Sequence, residues 1–176
     1  MKQLQLILVL LLTFTLACKN EKPIELDYCD MLSKDQSYVN KETTDTAVIE
    51  RNRRLRYQIF VENYTQIVRL TKQSGFPNFD FEALPQDSCK NWALTATLIH
   101  MAQAKPEIFF STENIALRSS EIDKGNLDSS DLFVAFKVSF VTNQFCEELR
   151  ENINMAITKW RIKDLENTEA NYKSCE

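Results

Sequence analysis

Two glycines, Gly75 and Gly125, serve a chain of 176 residues, where ordinary usage would be about 7%. Tight hairpins spend glycine on turns that need positive φ, so a chain with almost none is built from elements that need few such turns. The fold class this implies is all-α, a compact bundle of about five to six helices.

The N-terminus is a targeting pattern and must be set aside before the fold is read. Met1-Lys2 leads into an apolar run from Leu4 through Leu16 that includes Leu6, Ile7, Leu8, Val9, Leu10, Leu11, Leu12 and Phe14. The run is shorter than the roughly 20 apolar residues that span a bilayer core, and it has the length of a secretory signal. It closes at Leu16-Ala17-Cys18, with Thr15 three places before the cysteine. The triplet resembles the lipobox of bacterial lipoproteins. That resemblance implies cleavage before Cys18, a diacylglycerol on its sulfur and a further acyl chain such as palmitate.

The alternative is an ordinary signal that leaves Cys18 a plain thiol, a liability in an oxidising compartment. Acyl chains hold a protein to a bilayer by roughly 0.8 kcal/mol per buried CH₂, so two or three make a stable anchor. The organisation expected is a signal peptide over 1–17, a lipidated tether over 18–23 and one helical domain over 24–176. The expected address is the cell envelope, anchored to the outer membrane, on a side the sequence does not reveal. Glu21 resembles the surface-export signals of some Gram-negative lipoproteins, but a plain linker is the favoured reading.

Removing residues 1–17 from the 176 leaves 159, enough for one domain with its own core. The formal charge of −4 becomes −5 without Lys2. A mildly acidic chain lacks the basic patch that dominates nucleic-acid affinity, so no nucleic-acid partner is expected. Membrane lipid, reached through Cys18, and a protein are the partners expected instead. Beyond Cys18 stand Cys29, Cys89, Cys146 and Cys175, with no Cys-x-x-Cys pair to suggest zinc or a thioredoxin-type centre. Two structural disulfides are the reading, with buried free thiols as the alternative.

Periodicity divides the rest. Leu26, Cys29 and Met31/Leu32 fall near helical spacing in a first helix over 24–38. Leu55, Ile59, Phe60, Tyr64, Ile67 and Leu70 recur at three- and four-residue steps in a long helix over 45–74. Thr44 or Asp45 caps its start, and Gly75 with Pro77 stops it. Residues 76–87 hold three phenylalanines and read as a loop folded over the bundle, ending in a cap at Asp87 or Ser88.

Helix 88–104 is apolar on two lines, Trp92/Ala96/Ile99 and Leu94/Leu98/Met101, as a central helix would be. Pro106 opens a fourth helix to about Ile122. Ser129 or Ser130 caps a fifth from Asp131, with Phe133, Phe136, Phe140 and Val141 in it. From Cys146 the line Leu149, Ile153, Ala156/Ile157 and Trp160 continues helical, and the polar tail frays unless Cys175 ties it down.

Consecutive helices tend to run antiparallel. That order puts Cys29 and Cys89 at the same end of the bundle, within the roughly 4.4–6.8 Å between Cα atoms that a bridge needs. Cys146 is then left for Cys175. The expected pairing is therefore Cys29–Cys89 with Cys146–Cys175.

Several short motifs line up in order: Asp35-Gln36-x-Tyr38, Gly75-Phe76-Pro77, Ile99-His100-Met101-Ala102, then Pro106-Glu107-Ile108-Phe109. Over roughly residues 26–140 the chain resembles an uncharacterised bacterial family of small helical proteins with Asp-Gln, Gly-Trp-Pro and Gln-His-Ala-Asp motifs. Here Phe76 stands for the family tryptophan, Ile99 for its glutamine and Gln103 for its aspartate. The family's Tyr-Gly-Thr-Gln ending has no counterpart after Asn143. The resemblance implies a helical fold and brings no activity with it.

His100 is the only histidine, so a triad or a histidine–metal cluster has no visible partners. A partly buried core histidine is the bland reading, and Asp35 and Gln36 are its most plausible polar neighbours. Their bland role is to finish the first helix on backbone groups. Arg51, Arg53, Arg54 and Arg56 could touch anionic head groups, but their spacing spreads them around a helix and favours a solvated face paired with Glu50. Glu147, Glu148 and Glu151 read as a solubilising surface. No catalytic residue, metal or cofactor is assigned. The functional expectation is a membrane-anchored lipoprotein with a binding or structural domain, for instance an inhibitor- or immunity-type partner binder. The alternative is an enzyme centred on His100, Asp35 and Gln36. An enzyme needs a pocket where those groups converge, and a binder needs an exposed apolar patch.

Overall fold

The computed structural model describes residues 24–37, 43–78, 88–163 and 171–175. The signal segment, Cys18 and the tether lie outside the described residues, as do Tyr38, Asp87 and most of the phenylalanine-rich loop expected to fold over the bundle. Of the three phenylalanines, Phe76 is described, and it is buried.

The fold is all-α. Among the described residues seven helices run in order: α1 (Tyr28–Gln36), α2 (Thr46–Ser74), α3 (Ser88–Ala104), α4 (Pro106–Phe109), α5 (Thr112–Asp123), α6 (Ser129–Thr142) and α7 (Arg150–Lys159). A 3₁₀ turn over Glu147–Leu149 precedes α7. Two three-residue strands, β1 (Gln144–Cys146) and β2 (Asn171–Lys173), pair in parallel, with Phe145 opposite Tyr172.

Caps explain most of the boundaries. The α1 cap is Asp27, which accepts from the Asp30 N–H at 2.9 Å, so the helix starts at Tyr28 and not at residue 24. Asp45 caps α2, accepting from the N–H groups of Ala47 and Val48. The element expected over 106–122 is two helices. Phe110 closes the single turn of α4, and the Ser111 hydroxyl accepts from the Asn114 N–H to start α5. The cap of α6 is Asp128, in a reciprocal box with Asp131, and not Ser129 or Ser130.

The expected helix from Cys146 is another correction. Strand β1 comes first, and α7 begins only at Arg150, although Leu149, Ile153, Ala156 and Trp160 share the buried line expected of them. The tail is not frayed at its end: β2 pairs with β1, and Cys175 is bridged to Cys146.

α2 runs unbroken for 29 residues, roughly 44 Å at 1.5 Å per residue. It stops at Gly75, whose φ of +89° disfavours any residue with a Cβ. A methyl there would lie 2.8 Å from Asn126 Nδ2 and 3.2 Å from Glu121 Oε2. The close approach has a purpose. Buried Glu121 accepts from the Phe76 N–H at 2.8 Å, from Asn126 Nδ2 at 2.9 Å and from Lys124 Nζ at 2.7 Å. The corner after α2 is thus clamped to the end of α5.

Helix α3 is central, touching α1, α2, α4 and α6. Leu94, Leu98, Met101 and Ala102 face the core and are almost fully buried. Pairwise contacts set the directions. Cys29–Cys89 joins the starts of α1 and α3, and Asp35 meets His100 further along both, so these helices run parallel. Asn63 donates to the Met31 carbonyl, while Phe60, earlier in α2, stacks on His100, so α2 runs the other way. The pairing Cys29–Cys89 with Cys146–Cys175 follows from that order.

On the far side of α3 the core is aromatic. Phe109, Phe110, Phe136 and Trp160 meet mostly edge to face, with centroids 5.0–6.2 Å apart. Arg118 is buried against this cluster, with its guanidinium 4.3 Å from the Phe109 centroid and 5.2 Å from those of Tyr64 and Trp160. It donates to the carbonyls of Phe109 and Asn114 and to the Tyr64 hydroxyl.

Candidate functional site

The α1–α3 pairing brings Asp35, Gln36 and His100 together. His100 Nδ1 lies 2.9 Å from Asp35 Oδ1, and Gln36 Nε2 donates to Asp35 Oδ2 at 2.8 Å. Asp35 is buried, so its side chain does not finish α1 on backbone groups as the bland reading had it; it crosses to α3. The His100 side chain keeps 25% of its exposure. Its ring stacks on buried Phe60 with centroids 4.4 Å apart, which fixes the ring plane from the α2 side. Arg56 lies over the Phe60 ring at 5.8 Å. Its Nε is the one buried side-chain polar atom without a partner among the described residues.

A groove of about 370 Å³ opens between α1 and α3, lined by Leu32, Gln36, Trp92, Thr95, Ala96, Ile99 and His100. Helix α3 is central, as its two apolar lines imply, but only one of those lines is enclosed. The Leu94/Leu98/Met101 line is buried, whereas the Trp92/Ala96/Ile99 line forms the groove, and Trp92 is 65% exposed. A larger hollow of about 700 Å³ lies around the Cys29–Cys89 bridge, beside Glu25, Asp27 and Lys90. Its sulfurs are bonded to each other, so it offers no free thiol.

The two charged runs stay on the surface, except that Arg56 is half-buried. Glu50 pairs with Arg53 and Arg54, and Arg53 also lies over the Tyr57 ring. Glu147 pairs with Arg150, while Glu148 and Glu151 are exposed. Among the described residues one group of three metal-type donors lies close together, Cys146, Glu148 and Cys175. Both sulfurs are committed to the disulfide, which leaves a single carboxylate. Among the described residues, no helix is long and apolar enough to cross a membrane.

No known protein family, no curated protein and no solved structure matches this chain. Sequence reading found the three polar residues and missed the groove. The signal is present in Trp92, Ala96 and Ile99, an apolar line at helical spacing on the second face of α3.

Proposed function

We propose that this chain is a lipid-anchored envelope protein, tethered through Cys18, whose helical domain is a binding module. The groove between α1 and α3 holds the apolar part of its ligand, and His100 meets the polar part. The observation that carries this reading is Trp92, 65% exposed on a groove wall shared with Leu32, Ala96 and Ile99. Leaving a tryptophan in water forgoes its large burial energy, and such contiguous exposed apolar surface marks binding sites.

The second reading, an enzyme centred on His100, has the buried carboxylate behind the imidazole in its favour. Against it, among the described residues Thr95 is the only hydroxyl nucleophile lining the groove, and His100 makes no hydrogen bond to it.

The test uses N-phenyl-1-naphthylamine, a neutral dye that fluoresces in apolar surroundings. Mature protein should enhance its emission saturably, with energy transfer from Trp92. Ala96→Phe, which fills the groove, should abolish the effect while the helical circular dichroism stays unchanged. No saturable enhancement in the unaltered protein would remove the binding reading. The anchor is tested by intact mass, which should exceed that of residues 18–176 by a diacylglycerol and an acyl chain.

A further inference from the structure

The polar end of the groove is set by which nitrogen of His100 carries the proton. A carboxylate only accepts hydrogen bonds. Asp35 Oδ1 lies 2.9 Å from Nδ1, so the proton between them belongs to Nδ1. In neutral imidazole that leaves the lone pair on Nε2. Gln36 holds the other Asp35 oxygen at 2.8 Å, and Phe60 stacks on the ring, so neither carboxylate nor imidazole is free to turn. Nε2 has no partner among the described residues.

The rest of the groove decides what can approach that nitrogen. Its walls are Leu32, Trp92, Ala96 and Ile99, the Thr95 hydroxyl and the Gln36 amide are its other polar groups, and among the described residues no lysine or arginine lines it. An anion entering here loses its hydration, finds no fixed cation among the described residues and approaches the buried Asp35 carboxylate. At His100 Nε2 an ether oxygen offers only an acceptor to an acceptor.

Resting on the binding reading above, we infer that the ligand is a neutral amphiphile, an aliphatic or aromatic body ending in a hydroxyl or amide N–H that donates to His100 Nε2. The volume of about 370 Å³ suits a body of several carbons rather than a whole lipid.

The experiment displaces N-phenyl-1-naphthylamine from the mature chain, residues 18–176 with Cys18→Ser, in detergent-free buffer. All displacements are measured at pH 8. The competitors are 1-heptanol, its isomer 1-methoxyhexane, and heptanoate. Heptanol should displace the dye at a concentration about ten-fold below the ether, the effect of one hydrogen bond, and further below heptanoate. His100→Asn keeps an amide that can donate to Asp35 and removes Nε2; in it, alcohol and ether should become equivalent while the dye still binds. Equal displacement by all three in the unaltered chain overturns the inference and leaves the binding reading standing. Tightest displacement by heptanoate overturns it in favour of an anion site. Failure of the dye to bind removes both.

Discussion

Glu121 shows how one residue can hold a corner. Burial acts to raise its carboxyl, but hydrogen bonds from Lys124, Asn126 and the Phe76 backbone outweigh that and hold it below the ordinary value. The sign of its pH effect follows. A group whose folded value is depressed contributes stability that is fully present above its unfolded value, about 4.3 for glutamate, and lost as pH falls through the folded value. Thermal melts from pH 6 to pH 3 should therefore fall more steeply in the unaltered protein than in Glu121→Gln. At pH 6 the variant should already be weaker, by about 1–2 kcal/mol, because the charge-assisted bonds are gone. Parallel melting curves across that range would show that Glu121 does not carry this linkage.

Residue-scale chemistry of this kind was only partly legible. Gly75 and Pro77 announced the end of a helix. Nothing in the sequence announced that a glutamate 46 residues beyond Gly75 would receive the next backbone N–H, or that Arg118 would sit among rings without a carboxylate. Asp35, Gln36 and His100 were legible as residues, and their meeting required the parallel run of α1 and α3.

At the scale of elements, legibility tracked the length of the apolar period. α2 has eight turns of pattern and a stop signal, and its span came out of the sequence nearly unchanged. The break at Phe110–Ser111 was missed because Thr112 and Glu113 are acceptable helix residues, so the pattern reads through a one-turn interruption. Strands β1 and β2 are three residues each, too short for a period of two to register. So small a ladder is marginal in water. It is held by the Cys146–Cys175 bridge, by Phe145 against Tyr172 and by Arg150 over the Tyr172 ring at 4.0 Å. Replacing both cysteines by serine should therefore release β2 alone. Hydrogen exchange at Tyr172 and Lys173 should become fast, with the α3 amides keeping their protection. Retained protection in β2 would mean that the ladder and Tyr172 suffice without the bridge.

The two bridges differ at the scale of the whole molecule. They close loops of 60 and 29 residues. Chain-entropy reasoning alone makes them nearly equal, at about 4 kcal/mol each with a difference of only some 0.6 kcal/mol. The folded state separates them further. Without Cys146–Cys175, the chain escapes the cost of ordering its tail by letting β2 go, so the loss of global stability is capped at the few contacts β2 makes. Without Cys29–Cys89 no such escape is open, because releasing α1 exposes Met31 and strips the buried Asn63 of its Met31 acceptor and Asp35 of His100.

Urea unfolding should show the Cys29→Ser/Cys89→Ser protein losing about 3–4 kcal/mol and the Cys146→Ser/Cys175→Ser protein no more than about 2 kcal/mol. The same pair of variants connects stability to the groove. Leu32 and Gln36 on α1 form one of its walls, so losing the first bridge should weaken dye binding even in the fraction that remains folded. Losing the second should leave dye binding unchanged. If the second pair costs the greater stability, the tail is an integral part of the core and not a strap on its edge. If dye binding survives loss of the first bridge undiminished, α1 holds its place by packing alone, and the bridge serves only to restrict the unfolded chain.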